Sequence, residues 1–133
     1  MNKQLAITLA DTKVEFLEIS KCEVSEEAER LDLSYSAQSV DGNSKMFVLT
    51  FDVKIYHNQN MLFKIIFNAN FKTDVDIDEE FMVSPFIKIG APAIGYPYLR
   101  AYVSTLMTIS GYNPLILPTI NFTEEPEKSR LEE

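Results

Sequence analysis

The sequence holds one cysteine, one histidine and only four glycines. Each scarcity excludes something. Cys22 has no partner in its own chain, so an internal disulfide is ruled out and a reducing, cytoplasmic setting suits the chain. A lone cysteine at strand spacing is most simply a small core residue. His57 has no second His or Cys near it in sequence, so the usual metal-ligand spacing is missing. Four glycines leave no Gly-rich phosphate loop. No apolar run approaches the ~20 residues of a membrane span, so no membrane insertion is expected. The opening MNKQLAITLADTK has only a short apolar patch before Asp11, too little for a secretory signal, and the chain reads as uncleaved and soluble.

Catalytic patterns are equally sparse. Ser104 and Ser110 stand outside any G-x-S-x-G context. Asp74, Asp76 and Asp78 match the start of a calcium loop, but Glu79 and Pro85 stand where that loop needs Gly and Glu. Paired acids such as Glu26-Glu27 and Glu79-Glu80 are common on surfaces and do not imply acid–base work. The expectation is a non-enzyme with no catalytic residue, metal or cofactor.

What is present is a chain of 133 residues, 46% hydrophobic, with a net charge of −8. That length makes one domain with a real core. The last eleven residues, Thr123–Glu133, carry −3 of the charge and a single Leu. Residues 1–122 therefore read as the domain and 123–133 as an acidic tail without order. A negative charge of this size works against nucleic acid and anionic membranes and favours basic partners.

Alternation dominates the first half. Leu31, Leu33, Tyr35 and Ala37 share one parity, and Asp41-Gly42-Asn43 follows as a turn. Phe47, Leu49, Phe51, Val53 and Ile55 form the next apolar line, with Val48, Thr50, Asp52, Lys54 and Tyr56 opposite. After the polar turn His57–Asn60, Phe63, Ile65, Phe67, Ala69 and Phe71 make a third line, against Lys64, Ile66, Asn68 and Asn70. Period-2 runs split by short turns predict antiparallel strands with one buried face. A less regular first strand is expected near Val14–Val24, covered on both faces or carrying a bulge. Ser25–Arg30 reads as a loop or one helical turn.

After an acidic connection, Glu79–Ile89 is expected to hold a short helix limited by Pro85. The long helix is expected to start near Gly95, with Pro97 in its first position. Its apolar stripe is Leu99, Tyr102, Val103, Leu106 and Ile109, and Gly111 is its cap. Pro114 and Pro118 then force an extended return. The fold class is α+β: a four-stranded antiparallel sheet with one long helix, and a short preceding helix, packed on one face.

Ala101, Ser104, Thr105 and Thr108 line the helix face away from that stripe. They are either a solvated face or a subunit contact. The second reading follows if one helix cannot cover the sheet face carrying Phe47, Phe51, Phe63, Phe67 and Phe71. The expectation is a homo-oligomer, a tetramer first and a dimer second.

The segment Ala91-Pro92-Ala93-Ile94, Tyr96-Pro97-Tyr98-Leu99-Arg100-Ala101 and Ser104-Thr105-Leu106, with Leu117-Pro118-Thr119-Ile120-Asn121-Phe122, closely resembles the SecB family of protein-export chaperones. The likeness is specific over about thirty residues, and order-preserving but weak across the strands. It implies a four-stranded sheet with the helix on it, a dimer of dimers, and binding of unfolded precursor proteins that pass to the translocase ATPase. Such a protein is an ATP-independent holdase, with extended clients in apolar grooves. Phe81, Met82, Phe86, Ile87, Tyr98 and Tyr112 are the candidate client contacts, or plain core. Two departures stand out. Export members continue into a second apolar helix, where this chain turns polar. They also carry acids on the outer sheet face where the ATPase docks; here Lys64 takes one such place, and the others fall on Glu18 or Glu23. Short SecB-like proteins also guard the antitoxin of a toxin–antitoxin pair. A structural adaptor binding one folded partner through Thr50, Asp52, Lys54, Lys64, Asn68 and Asn70 is the competing reading. An enzyme or ligand carrier with a cavity under the sheet is the third.

Overall fold

The period-2 runs become long antiparallel strands, and the helical stripe lies across their apolar side. The computed structural model describes residues 7–22, 30–57 and 60–123, together with the backbone of 128–132. The strands are β1 (Ile7–Lys21), β2 (Arg30–Val40), β3 (Asn43–His57) and β4 (Met61–Thr73). β2, β3 and β4 form a meander, and β1 lies beside β4, a Greek-key order. A further strand, β5 (Lys128–Glu132), pairs antiparallel with β2 at the far edge. The polar composition of 123–133 predicts no order, yet the backbone of Lys128–Glu132 is paired. Backbone pairing needs no apolar side chain, and β2 offers an edge there.

β1 explains its own irregular pattern. Its register against β4 shifts between Leu9 and Asp11 and again between Val14 and Phe16. After each shift the parity changes, so Leu9, Thr12, Val14, Leu17 and Ile19 face the inward residues of β4, while Phe16 stands opposite outward Ile66. The strand begins at Ile7, earlier than the expected Val14, and closes at Lys21. Val24 and residues 25–29 of the expected Ser25–Arg30 loop lie outside the described residues, while Arg30 opens β2.

A short helix α1 (Glu79–Met82) is capped by Asp78, whose carboxylate accepts from the Phe81 amide at 2.8 Å. A π-helical turn, Phe86–Gly90, runs directly into α2 (Ala91–Ile109). The long helix therefore starts earlier than the expected Gly95, and Pro97 sits inside it. Pro97 is tolerated because both it and Ala93, whose carbonyl loses a donor, face solvent. The helix ends in a Schellman motif: Tyr112 N–H bonds Met107 O at 2.9 Å and Gly111 N–H bonds Thr108 O at 3.2 Å, with Gly111 at φ +94.

The buried line of α2 is Gly95, Tyr96, Leu99, Val103 and Met107. Of the expected stripe, Leu99 and Val103 are buried and Tyr102 and Leu106 half-buried, but Ile109 is 77% exposed. The inward line advances four residues at a time, so Met107 takes the place expected for Ile109.

The five sheet phenylalanines Phe47, Phe51, Phe63, Phe67 and Phe71 are all buried within the single chain. This corrects the expectation that they would need outside cover. The π-helical turn adds Ile87, and the return after Gly111 adds Leu117 and Phe122 to the lid. Tyr112 stands edge-on to Phe63, with ring centroids 5.3 Å apart. His57, expected in a turn, ends β3 fully buried, and its Nε2 lies 2.8 Å from Asn113 O, tying down the start of the return. The acidic connection is fixed at Ser44, whose Oγ donates to Asp76 Oδ1 at 2.7 Å.

Helix and sheet come close together at Gly95. A Cβ there would lie 3.3 Å from both Ala69 Cβ and Phe51 Cε2. A larger side chain must push α2 off the phenylalanine face. Gly95→Leu is expected to lower unfolding free energy by about 2 kcal/mol, read as a lower urea midpoint with unchanged slope.

Candidate functional site

Two open grooves flank the contact between α2 and the sheet. The first is about 370 Å³ and is lined by Thr12, Lys13, Val14, Phe67, Tyr98, Ala101, Tyr102 and Thr105. Its floor is β1, where the register shifts set Thr12 and Val14 opposite inward residues of β4, on the side of the sheet that faces α2. Its wall is the face of α2 left when Gly95, Leu99 and Val103 point into the core. Tyr98 is 53% exposed on this wall, and Leu17, 40% exposed, follows Val14 along the inward side of β1.

The second groove is about 320 Å³ and lies between β2 and the π-helical turn, lined by Tyr35, Ser36, Ala37, Leu49, Met82, Ile87 and Lys88. The Tyr35 hydroxyl donates to Lys88 O at 3.4 Å across it. Phe86 stacks on Phe81 at 6.0 Å and is partly exposed beside this groove.

The candidate client residues are therefore divided. Tyr98 lines the first groove, and Met82 and Ile87 line the second. Phe81 and Ile87 are largely buried, and Tyr112 belongs to the aromatic cluster with Phe63 and His57. Among the subunit-contact candidates, Ala101, Thr105 and Thr108 are exposed and Ser104 half-buried. Ala101 and Thr105 share the first groove with Tyr98, so one surface carries two of the sequence assignments. Val14, Tyr35 and Ala37 were not singled out, since alternation marks them only as strand residues. The β1 parity breaks were the available signal for Val14.

The outer sheet face is a polar lattice. One row runs Asp32, Lys54, Lys64, Glu18 across four strands. The two lysines oppose each other, and Glu18 lies 3.9 Å from Lys64 on an exposed surface, a weak pair. The next row places exposed Asp52 beside Ile66 and the 46% exposed Phe16. Asn68 accepts from the Thr50 hydroxyl at 2.8 Å and donates to Glu15 at 3.2 Å. Glu23, the other acid considered for this face, lies outside the described residues.

No group of three His, Cys, Asp or Glu side chains that could hold a metal occurs among the described residues. No described helix is long and apolar enough to cross a membrane. The arrangement offers a largely apolar groove along β1 and a groove of mixed polarity beside β2, both open to extended chain.

Comparison with known proteins agrees with this geometry. Residues 12–126 match the family described as preprotein translocase subunit SecB, and the chain belongs to the SecB family. A curated relative, protein-export protein SecB 2 of Polaromonas naphthalenivorans (strain CJ2), is 45% identical over 40 residues; this stretch is 30% of the chain and 25% of the relative. In fold the chain resembles a Mycobacterium tuberculosis SecB-like chaperone solved in complex with a ChAD peptide from the HigA1 antitoxin. The TM-score is 0.66 at 17% identity, covering 86% of this chain and 89% of that one. A Streptococcus agalactiae protein of unknown function has a TM-score of 0.53 at 5% identity, covering 88% and 100% of the two chains. Both likenesses concern the fold.

Tyr96 ties α2 to the return: its hydroxyl donates to Pro118 O at 2.6 Å. Burial pushes this phenol well above the ordinary tyrosine value of 10.0, with nearby Arg100 opposing, and burial also raises Tyr102. A raised phenol favours the neutral form in the fold. Its contribution is complete below the unfolded value and is lost as pH climbs past it. Tyr96→Phe is expected to cost about 1 kcal/mol at neutral pH through the lost hydrogen bond. It should also flatten the loss of stability above pH 10.0, checked by urea midpoints on both sides of that value.

Proposed function

We propose that the protein is an ATP-independent holdase that binds extended apolar segments of unfolded or precursor polypeptides in the two grooves. The observation that carries this reading is the open grooves left beside the buried core, the one along β1 largely apolar. Grooves of this kind draw on burial of apolar area, roughly 25 cal/mol per Å², and need no nucleotide. Tyr98 and Met82 are adaptable contacts for varied sequences. The net charge of −8 keeps a loaded complex soluble and disfavours acidic clients. No catalytic residue, metal or cofactor enters this mechanism. A cytoplasmic location fits a lone cysteine.

A dedicated client is the second reading, an antitoxin of a toxin–antitoxin pair. The relative of similar fold solved with an antitoxin peptide supports it. Coupling to the translocase ATPase has less support, because the outer row Asp32-Lys54-Lys64-Glu18 is balanced in charge. Asp52, Lys54, Lys64 and Asn68 on that face remain the surface for any folded partner.

The exposed line Ile94, Tyr98, Ala101, Thr105 on α2 also supports self-association, to a tetramer or else a dimer. Ala101→Arg and Thr105→Arg are expected to reduce the native mass to smaller species; an unchanged mass in both would remove α2 as the contact.

Diluting a denatured client into the protein and following light scattering tests the main reading. Several-fold excess should suppress scattering, and its failure to do so would refute a holdase. Tyr98→Glu should weaken client binding about tenfold, near 1.4 kcal/mol, while leaving the urea midpoint in place because the side chain is half exposed.

A further inference from the structure

A third groove runs between α2 and the return that follows Gly111. It is about 250 Å³, and Ala93, Pro97 and Arg100 of α2 line it together with Ile120 and Asn121 of the return. Ala93, Pro97 and Arg100 stand at i, i+4 and i+7, on one face of the helix. No residue of this groove lines either of the other two.

Its lining holds three polar groups with capacity to spare. Arg100 keeps its charge at any physiological pH, and among the described residues no carboxylate lies within ion-pair distance of it. Asn121 is held by its oxygen: Oδ1 accepts from the Thr123 amide at 3.1 Å and from the Thr123 hydroxyl. A backbone N–H can only donate, so this bond fixes which end of the carboxamide is oxygen and leaves Nδ2 as a donor. The third group is the Ala93 carbonyl. Pro97 has no N–H to give it, and both residues are exposed.

A guanidinium and an amide donor favour an anion, while a carbonyl repels one and asks for an N–H. A bare inorganic anion meets only half of this set. An acidic residue inside a peptide meets all of it, with its backbone N–H on the carbonyl and its carboxylate on the two donors. We propose that this groove binds a single aspartate or glutamate of an extended polypeptide, with Arg100 as the charge that selects it. Ile89 and Ile120 give the flanking residues apolar contact. The net charge of −8 repels acidic runs, so the preferred segment carries one acid among neutral or basic neighbours. This site goes beyond the holdase reading and does not depend on it.

The test uses the full chain and a short labelled peptide of Val, Thr and Ser with one central Glu, acetylated and amidated at its ends. The side chain is then its only carboxylate. In fluorescence anisotropy it should bind about tenfold more tightly than the same peptide with Gln, and this preference should shrink as salt rises. Arg100→Gln should erase the preference, and Arg100→Lys should keep part of it, since the charge stays and the fork is lost. Pro97→Ala returns a donor to the Ala93 carbonyl, so it should weaken the Glu and Gln peptides alike and leave their ratio unchanged. Excess acetate or inorganic phosphate should not displace the peptide. Equal affinity for the Glu and Gln peptides, a preference that survives Arg100→Gln, or displacement by either small anion would overturn the assignment. The comparison of the two peptides on the unaltered protein decides the matter even where a variant fails to fold. None of these readouts uses an unfolded client, so this site and the scattering assay stand or fall separately.

Discussion

The structure depends on one contact, the approach of α2 to the phenylalanine face of β3 and β4 at Gly95. Ala69 and Phe51 sit so near that position that a bare Cβ would already lie 3.3 Å from both, and a larger side chain would push the helix off. With glycine there, Tyr96, Leu99, Val103 and Met107 follow onto the sheet. Close packing there turns two amphipathic elements into one core, since interiors at crystal-like density leave no slack for a displaced helix. The same contact decides which side of α2 is left outside, and so where the first groove and its exposed Tyr98 lie.

The rest of the lid is built from pieces too short to hold a shape alone. The π-helical turn, α1 and the return after Gly111 gain their positions from aromatic and hydrogen-bonded anchors: Phe81 against Phe47, Tyr112 against Phe63, His57 to Asn113, and Tyr96 to Pro118. They complete the burial of the sheet without closing it at the sides. Membership of the SecB family and the open grooves belong together in this sense: the core is buried, and the grooves lie along its margins.

The margins are also where reading the sequence reached its limit. Alternation located β2, β3 and β4 nearly to their ends, because one buried face imposes period 2 on every residue. β1 resisted because each bulge inserts a residue and reverses parity, so Val14 and Phe16, two residues apart, end on opposite faces. Pro97 suggested a helix start by its usual preference, yet an exposed helix face absorbs the missing donor. His57 sits in a polar run that reads as turn; buried, its ring meets the Asn113 carbonyl and the rings of Phe63 and Tyr112. The groove residues Val14, Tyr35 and Ala37 carry no mark of their own, since a groove is the absence of a neighbour.

The order of side chains along each element fixed, without coordinates, an antiparallel sheet, an amphipathic helix, a glycine stop and the family likeness carried by Ala91–Phe122. These are local properties, set by periodicity, backbone conformation and the missing donor of proline. Which residues of α2 face inward, how the five phenylalanines are covered by one chain, and where β5 finds its edge were decided only by the tertiary structure. Each depends on surfaces brought together from distant parts of the chain, and the spacing of residues along one element says nothing about what will be packed against it.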